Sequence, residues 1–158
     1  VMWIRQIGGL ADAELGPARF FILFTLSGAG GFVASALFGT PWTLGASGSI
    51  FGLLGAMIAF RRRRGAGGDF VSQQFLRWAV FLFIFGLIFP RVDNWAHGGG
   101  FVVGYILGHR FPGMHEKPES RREQLLAIAL FGITVLGFVV SVVQNLPFFL
   151  EAIKTRGL

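Results

Sequence analysis

The chain contains no cysteine, so disulfides, thiol catalysis and cysteine-ligated metals are excluded. Acidic residues are scarce, 8 against 14 lysines and arginines in 158 residues. No acidic cluster lies near His97, and His109 and His115 sit at or beyond the other end of the same segment, which disfavours a metal centre. No cleavable signal peptide, internal repeat or low-complexity run beyond Arg61–Gly68 is visible. The chain starts at Val1 without an initiator methionine, in the middle of an apolar pattern, and is expected to be a fragment.

What is present is apolar: 53% hydrophobic residues, 19 phenylalanines, 24 glycines and a mean hydropathy of +0.64. A soluble domain of this size would have to expose part of that surface to water. Abundant glycine beside abundant phenylalanine fits membrane helices, where small residues let backbones approach closely. The expected fold is all-α, a polytopic membrane helix bundle of one domain. Met2–Leu10 reads as the end of an earlier helix. Phe20–Phe38 and Gln124–Val143 are each long enough to cross a hydrocarbon core of roughly 30 Å. Phe75–Phe89 and Trp95–Leu107 are shorter, and Ser47–Phe60 either spans incompletely or starts in a polar cavity. Pro41, Pro90 and Pro112 fall in loops, and Pro147 is expected to end the last helix.

The net charge of +6 is concentrated at helix ends and reads as a topology signal, not as a nucleic-acid surface. Arg61–Arg64 follow one helix, while Arg110, Lys117, Arg121 and Arg122 follow another. Arg19, with Asp12 and Glu14, precedes a third. With these three loops in the cytoplasm the helices alternate without conflict, and the opposite loops carry only Arg91. Ser47 and His97 then enter the membrane from the non-cytoplasmic side at one depth.

Polar side chains in apolar helices are costly and by default functional. Ser47 lies in Gly45-Ala46-Ser47-Gly48, beside a small-residue stripe of Gly48, Gly52, Gly55 and Ala59. A serine there is also an ordinary helix cap flanked by turn glycines. His97 shares a face with Gly100, Gly104 and Gly108, within about 80° at roughly 100° per residue. Taken alone it reads equally as a buried histidine bonded to a carbonyl, or as one metal ligand of a transporter. Jointly, matched depth, matched packing stripes and complementary chemistry point to a serine nucleophile with a histidine base. Asp93 offers a third member but sits in the water-facing turn, so a Ser-His dyad is favoured over a triad. Phe51, one turn below Ser47, is placed to stack on the imidazole.

Gly45–Gly48 and Ala96-His97-x-x-Gly100-x-x-x-Gly104, in that order, resemble the rhomboid family of intramembrane serine proteases. Asp93-Asn94-Trp95-Ala96-His97 is similar to the family's histidine segment, and Gly8-Gly9 through Gly16 resembles the connection into its third helix. The resemblance implies that Ser47 is the nucleophile and His97 the general base. It further implies an oxyanion hole from the backbone at Gly45, Ala46 and Ser47, with Gly48, Phe51, Asn94, Gly100 and Gly104 in support. Helix Phe75–Phe89 would be the lateral gate, although Phe81, Phe85 and Phe89 are equally ordinary lipid-facing residues. Residues 1–111 would be a partial core, 112–123 a cytoplasmic loop, 124–146 a seventh membrane helix and 147–158 a tail. The family's first helix and most of its second, with the His and Asn that help hold the oxyanion, are absent from this sequence, so the fragment is expected to be inactive alone. The implied partners are transmembrane protein substrates and the lipid bilayer, with no cofactor, no metal and no nucleic acid. The expected location is a bacterial inner membrane. Two other readings are a silent rhomboid-like protein that binds transmembrane clients, a class that usually lacks the serine or the histidine, and a small transporter.

Overall fold

The computed structural model describes residues 2–39, 43–65, 69–89 and 92–156; Pro41, Pro90 and Arg91 lie outside them. Among the described residues six helices follow one another: α1 (Met2–Leu15), α2 (Pro17–Phe38), α3 (Ser47–Arg63), α4 (Phe70–Ile88), α5 (Asn94–Arg110) and α6 (Arg121–Arg156). The described residues contain no strand. Three helices, α2, α4 and the Arg121–Phe148 part of α6, are long and apolar enough to cross a membrane.

Each apolar stretch of the sequence becomes a helix, and local chemistry explains where the helices outrun it. α2 starts at Pro17, whose fixed φ and missing N–H suit a first helical position, after Gly16 at φ 92°. α4 starts at Phe70 because the Asp69 side chain accepts the Ser72 N–H at 2.7 Å. α6 starts at Arg121, inside the expected 112–123 loop. A reciprocal box starts it: Ser120 N–H to Glu123 at 2.6 Å and Glu123 N–H to Ser120 Oγ at 3.3 Å.

The other end of α6 requires a correction. Pro147 does not terminate the helix, which continues to Arg156. A proline inside a helix removes one hydrogen bond and displaces one carbonyl, a local cost that long apolar helices in lipid absorb.

α3 is the buried centre. From Phe51 to Phe60 every residue is buried, and Leu53, Leu54, Met57 and Phe60 pack with Ile7, Ala11 and Leu15 of α1, Leu23 of α2, and Phe75 and Ala79 of α4. At 17 residues α3 is roughly 25 Å long, shorter than a hydrocarbon core. A helix whose middle is enclosed by protein has no need to span. α6 is the reverse: no residue of its apolar window is buried, and among the described residues it packs only on α2, where Phe21 meets Phe131 edge-on at 5.9 Å.

Ion pairs gather the basic loops at one end. Arg61 pairs with Glu14 at 3.1 Å and with Asp69, Arg63 with Glu116 at 3.0 Å, and Arg64 with Glu14 and Glu116 at 3.4 and 3.2 Å. Arg19 is fully buried at the same end. Its guanidinium donates to Glu123 at 2.8 and 3.1 Å and to the carbonyls of Pro112, Lys117 and Pro118 at 2.9, 2.9 and 3.0 Å. More than a topology charge, Arg19 fastens the segment between α5 and α6 onto the bundle. Residues 43–46 and the start of α5 lie at the opposite end.

Candidate active site

α3 and α5 run in parallel from this opposite end, and glycines set their separation. A Cβ at Gly100 would lie 3.0 Å from Gly48 Cα, one at Gly104 2.5 Å from the Gly52 carbonyl carbon, and one at Gly108 2.7 Å from that of Ala56. Contacts that short leave no room for a side chain, so the two backbones touch. The expected α5 stripe of Gly100, Gly104 and Gly108 therefore forms the seam. On α3 the facing residues are Gly48, Gly52 and Ala56, and Gly55 lies beside them against Phe101 and Tyr105.

This seam brings the candidate residues together. Gly48, which follows Ser47, lies under the carbonyl of Ala96, which precedes His97: a Cβ at Gly48 would be 3.2 Å from that oxygen. Ser47 is half-buried in the first turn of α3, and His97 is buried at 5% exposure. The His97 ring lies flat on Phe51, with centroids 4.2 Å apart and planes 15° from parallel. The hydrogen bonds among the described residues do not include a direct one between Ser47 and His97. Contacts of this kind often tighten only around a bound substrate.

The turn before Ser47 supplies backbone donors. Gly45 has φ 127°, a conformation that side-chain-bearing residues rarely adopt, and Ala46 is the N-cap. The Ala46 carbonyl accepts from Ile50 N–H at 3.1 Å, and no side chain caps the helix start. The first-turn N–H groups of Ser47, Gly48 and Ser49 precede the first intrahelical bond and have no partner inside the helix.

Asn94 orients the histidine. Its Nδ2 donates to the Phe83 carbonyl at 3.4 Å, and its Oδ1 lies 3.2 Å from His97 Nδ1. A carbonyl can only accept, so the Asn94 amide nitrogen faces Phe83 and its oxygen faces the ring. His97 Nδ1 then carries the proton, and Nε2 is left with its lone pair. Gly86 admits Asn94 beside α4, since a Cβ there would lie 3.0 Å from Asn94 Cγ.

Asp93 does not stand behind the imidazole. It is the N-cap of α5, accepting from Trp95 and Ala96 N–H at 3.0 Å each, and it also accepts from the hydroxyls of Ser35 and Thr43. An acidic residue directly before an apolar helix is a recognisable capping signal; nothing in the sequence announces the two hydroxyl partners. On α4, Phe85 stacks on Phe89 at 4.1 Å and lies 6.5 Å from Phe81, and all three are exposed.

Comparison with known proteins adds an independent finding. The Rhomboid domain family matches residues 1–112. RHOMBOID-like protein 1 of Arabidopsis thaliana is 37% identical over 111 residues, covering 66% of this chain and 28% of the relative. Rhomboid protease GluP of Bacillus subtilis is 29% identical over 139 residues, covering 85% of this chain and 26% of its own. Inactive rhomboid protein 1 of Papio anubis is 31% identical over 160 residues, covering 91% of this chain and 18% of its own. The chain thus spans less than a third of each of these three relatives. They come from a plant, a bacterium and a primate, so the expected bacterial inner membrane draws no support from them.

Proposed function

Because the chain belongs to the rhomboid family of membrane proteins, we propose that it is the catalytic part of an intramembrane serine endopeptidase. Its substrates are transmembrane proteins, cut in or next to their helices. The observation that carries the reading is the parallel α3–α5 seam, with His97 stacked on Phe51 one turn from Ser47. Ser47 Oγ attacks the scissile carbonyl while His97 Nε2 takes its proton. The backbone donors at the start of α3, from Gly45 to Ser47, face the oxyanion, and each such donor contributes about 10²–10³ in rate. Collapse of the tetrahedral intermediate breaks the peptide C–N bond, and His97 returns the proton to the leaving amine. Water, deprotonated by His97, then hydrolyses the acyl-Ser47 ester. No metal or cofactor takes part.

The arginine-rich end lies in the cytoplasm on this reading, and the site opens to the other side. The test is Ser47→Ala and His97→Ala in the full-length protein with a membrane-anchored substrate. Both variants are expected to lose cleavage, and retained cleavage in either overturns the assignment.

A second reading has its own support in the match to an inactive rhomboid protein over 91% of the chain. Here the protein binds transmembrane clients without cutting them. It predicts client co-purification that is unchanged by Ser47→Ala, and no labelling of Ser47 by a fluorophosphonate.

A further inference from the structure

One carboxylate ties together the two arms that carry the polar pair. Thr43 lies four residues before Ser47, and Asp93 four residues before His97. The Thr43 hydroxyl donates to Asp93 Oδ2, which also accepts from Ser35 Oγ near the end of α2. Asp93 Oδ1 accepts the two first-turn N–H groups of α5. The turn into α3, the last turns of α2 and the start of α5 therefore meet on a single side chain. α2 closes over it: a Cβ at Gly39 would lie 3.3 Å from Asp93 Oδ1 and 3.0 Å from Trp95 Cδ1. Phe38 packs on Trp95 with centroids 5.3 Å apart.

Among the described residues no other hydrogen bond joins the turn before α3 to the start of α5. The glycine seam fixes how closely α3 and α5 approach, but glycine contacts are apolar and resist sliding along the axes only weakly. Hydrogen bonds with charged acceptors are directional and roughly twice as strong as neutral ones. Within residues 43–46 Gly45 takes φ 127°, a backbone conformation that favours glycine.

We propose that Asp93 is a positioning residue that locks the Thr43–Ala46 turn, and with it Ser47, in register with His97. This rests on the protease reading for its effect on rate, though not for its effect on the turn. A displacement of about 1 Å at a reacting group can lower a rate about a hundredfold, so losing the Thr43 bond is expected to matter although Thr43 touches no reacting atom.

The experiment uses the full-length protein in lipid and compares Thr43→Val, which keeps the shape and removes the hydroxyl, with Thr43→Ser, which restores it. Two quantities are read: the second-order rate of fluorophosphonate labelling at Ser47, and amide hydrogen exchange over residues 43–48. Thr43→Val is expected to label about tenfold or more slowly and to exchange faster in that segment, with Thr43→Ser close to the parent. Asp93→Asn keeps an acceptor for the α5 cap. Combined with Thr43→Val it is expected to be non-additive, because both act on one bond. Unchanged exchange and labelling in Thr43→Val overturn the proposal, as does a loss that Thr43→Ser fails to restore. Faster exchange with unchanged labelling overturns the positioning role and leaves a structural one. A parent that does not label overturns the protease reading, and exchange alone then decides the Asp93 bridge.

Discussion

The imidazole of His97 and the ring of Phe51 lie face to face, 4.2 Å between centroids and 15° from parallel, across the α3–α5 seam. Phe51 is 3% exposed, so one face of the imidazole rests against a buried ring. Asn94 holds the Nδ1 side of the imidazole. Two contacts thus define the ring plane and its rotation, the two quantities a general base must have right.

Phe51→Leu keeps an apolar side chain and removes the flat surface. Labelling of Ser47 is expected to fall about tenfold, while Phe51→Tyr, which keeps the ring, stays within a few fold of the parent. Thermal midpoints measured beside the rates separate loss of stacking from loss of fold.

Asn94→Ala removes the group that holds the proton on Nδ1. The expected result is a drop in kcat of about 10- to 100-fold with little change in KM, since the base is disturbed more than substrate binding. Steady-state cleavage of a membrane-anchored substrate measures it.

The seam makes a sharp contrast among neighbouring glycines. Gly104→Ala would drive a methyl into the Gly52 backbone and is expected to lower stability by about 1–3 kcal/mol. Gly98→Ala faces open space, with nothing within 4 Å, and is expected to be neutral or slightly stabilising. Thermal unfolding in detergent, run on both, checks the pair.

Arg19→Lys is expected to behave as a severe change. Lysine has three donors and no fork, so it cannot serve Glu123 and three carbonyls together. Arg19→Ala leaves buried acceptors unmet and is expected to cost about 3–5 kcal/mol. Limited proteolysis should show the segment between α5 and α6 becoming cleavable in both.

The Asp69 carboxyl is held below its ordinary value of 3.8, first by the Arg61 guanidinium and then by the Ser72 N–H. Its folded pKa is lower than its unfolded one, so its contribution is complete above about pH 3.8 and fades as the pH falls below it. Asp69→Asn should flatten the acid side of the stability curve relative to the parent, as measured by thermal midpoints between pH 5 and pH 3.

Much of this was legible in the residues. Gly100, Gly104 and Gly108 share a face by helical period alone, and that face does meet α3. The arginine loops do share one end. Phe51 stands one turn from Ser47, which is why stacking on His97 followed from spacing. What escaped depends on contacts between distant segments. Arg19 looks like any membrane-flanking cation until the 112–123 segment folds back over it. Thr43 and Ser35 reach Asp93 from 50 and 58 positions away, a relationship no local pattern encodes. Pro147 shows the limit of a breaker rule: it is expected to end the last helix, and the helix runs through it to Arg156.

Among the described residues α6 touches the other helices through α2 alone, the Arg19–Glu123 pair at its start included. Such an attachment makes it an appendage: it can part from α2 as an intact helix while α1–α5 remain assembled. Disassembly in the bilayer is then expected to begin with a step that a probe at Ser47 does not register. Substitutions along the exposed face of α6 should therefore alter what the protein sits beside in the bilayer and leave its chemistry untouched.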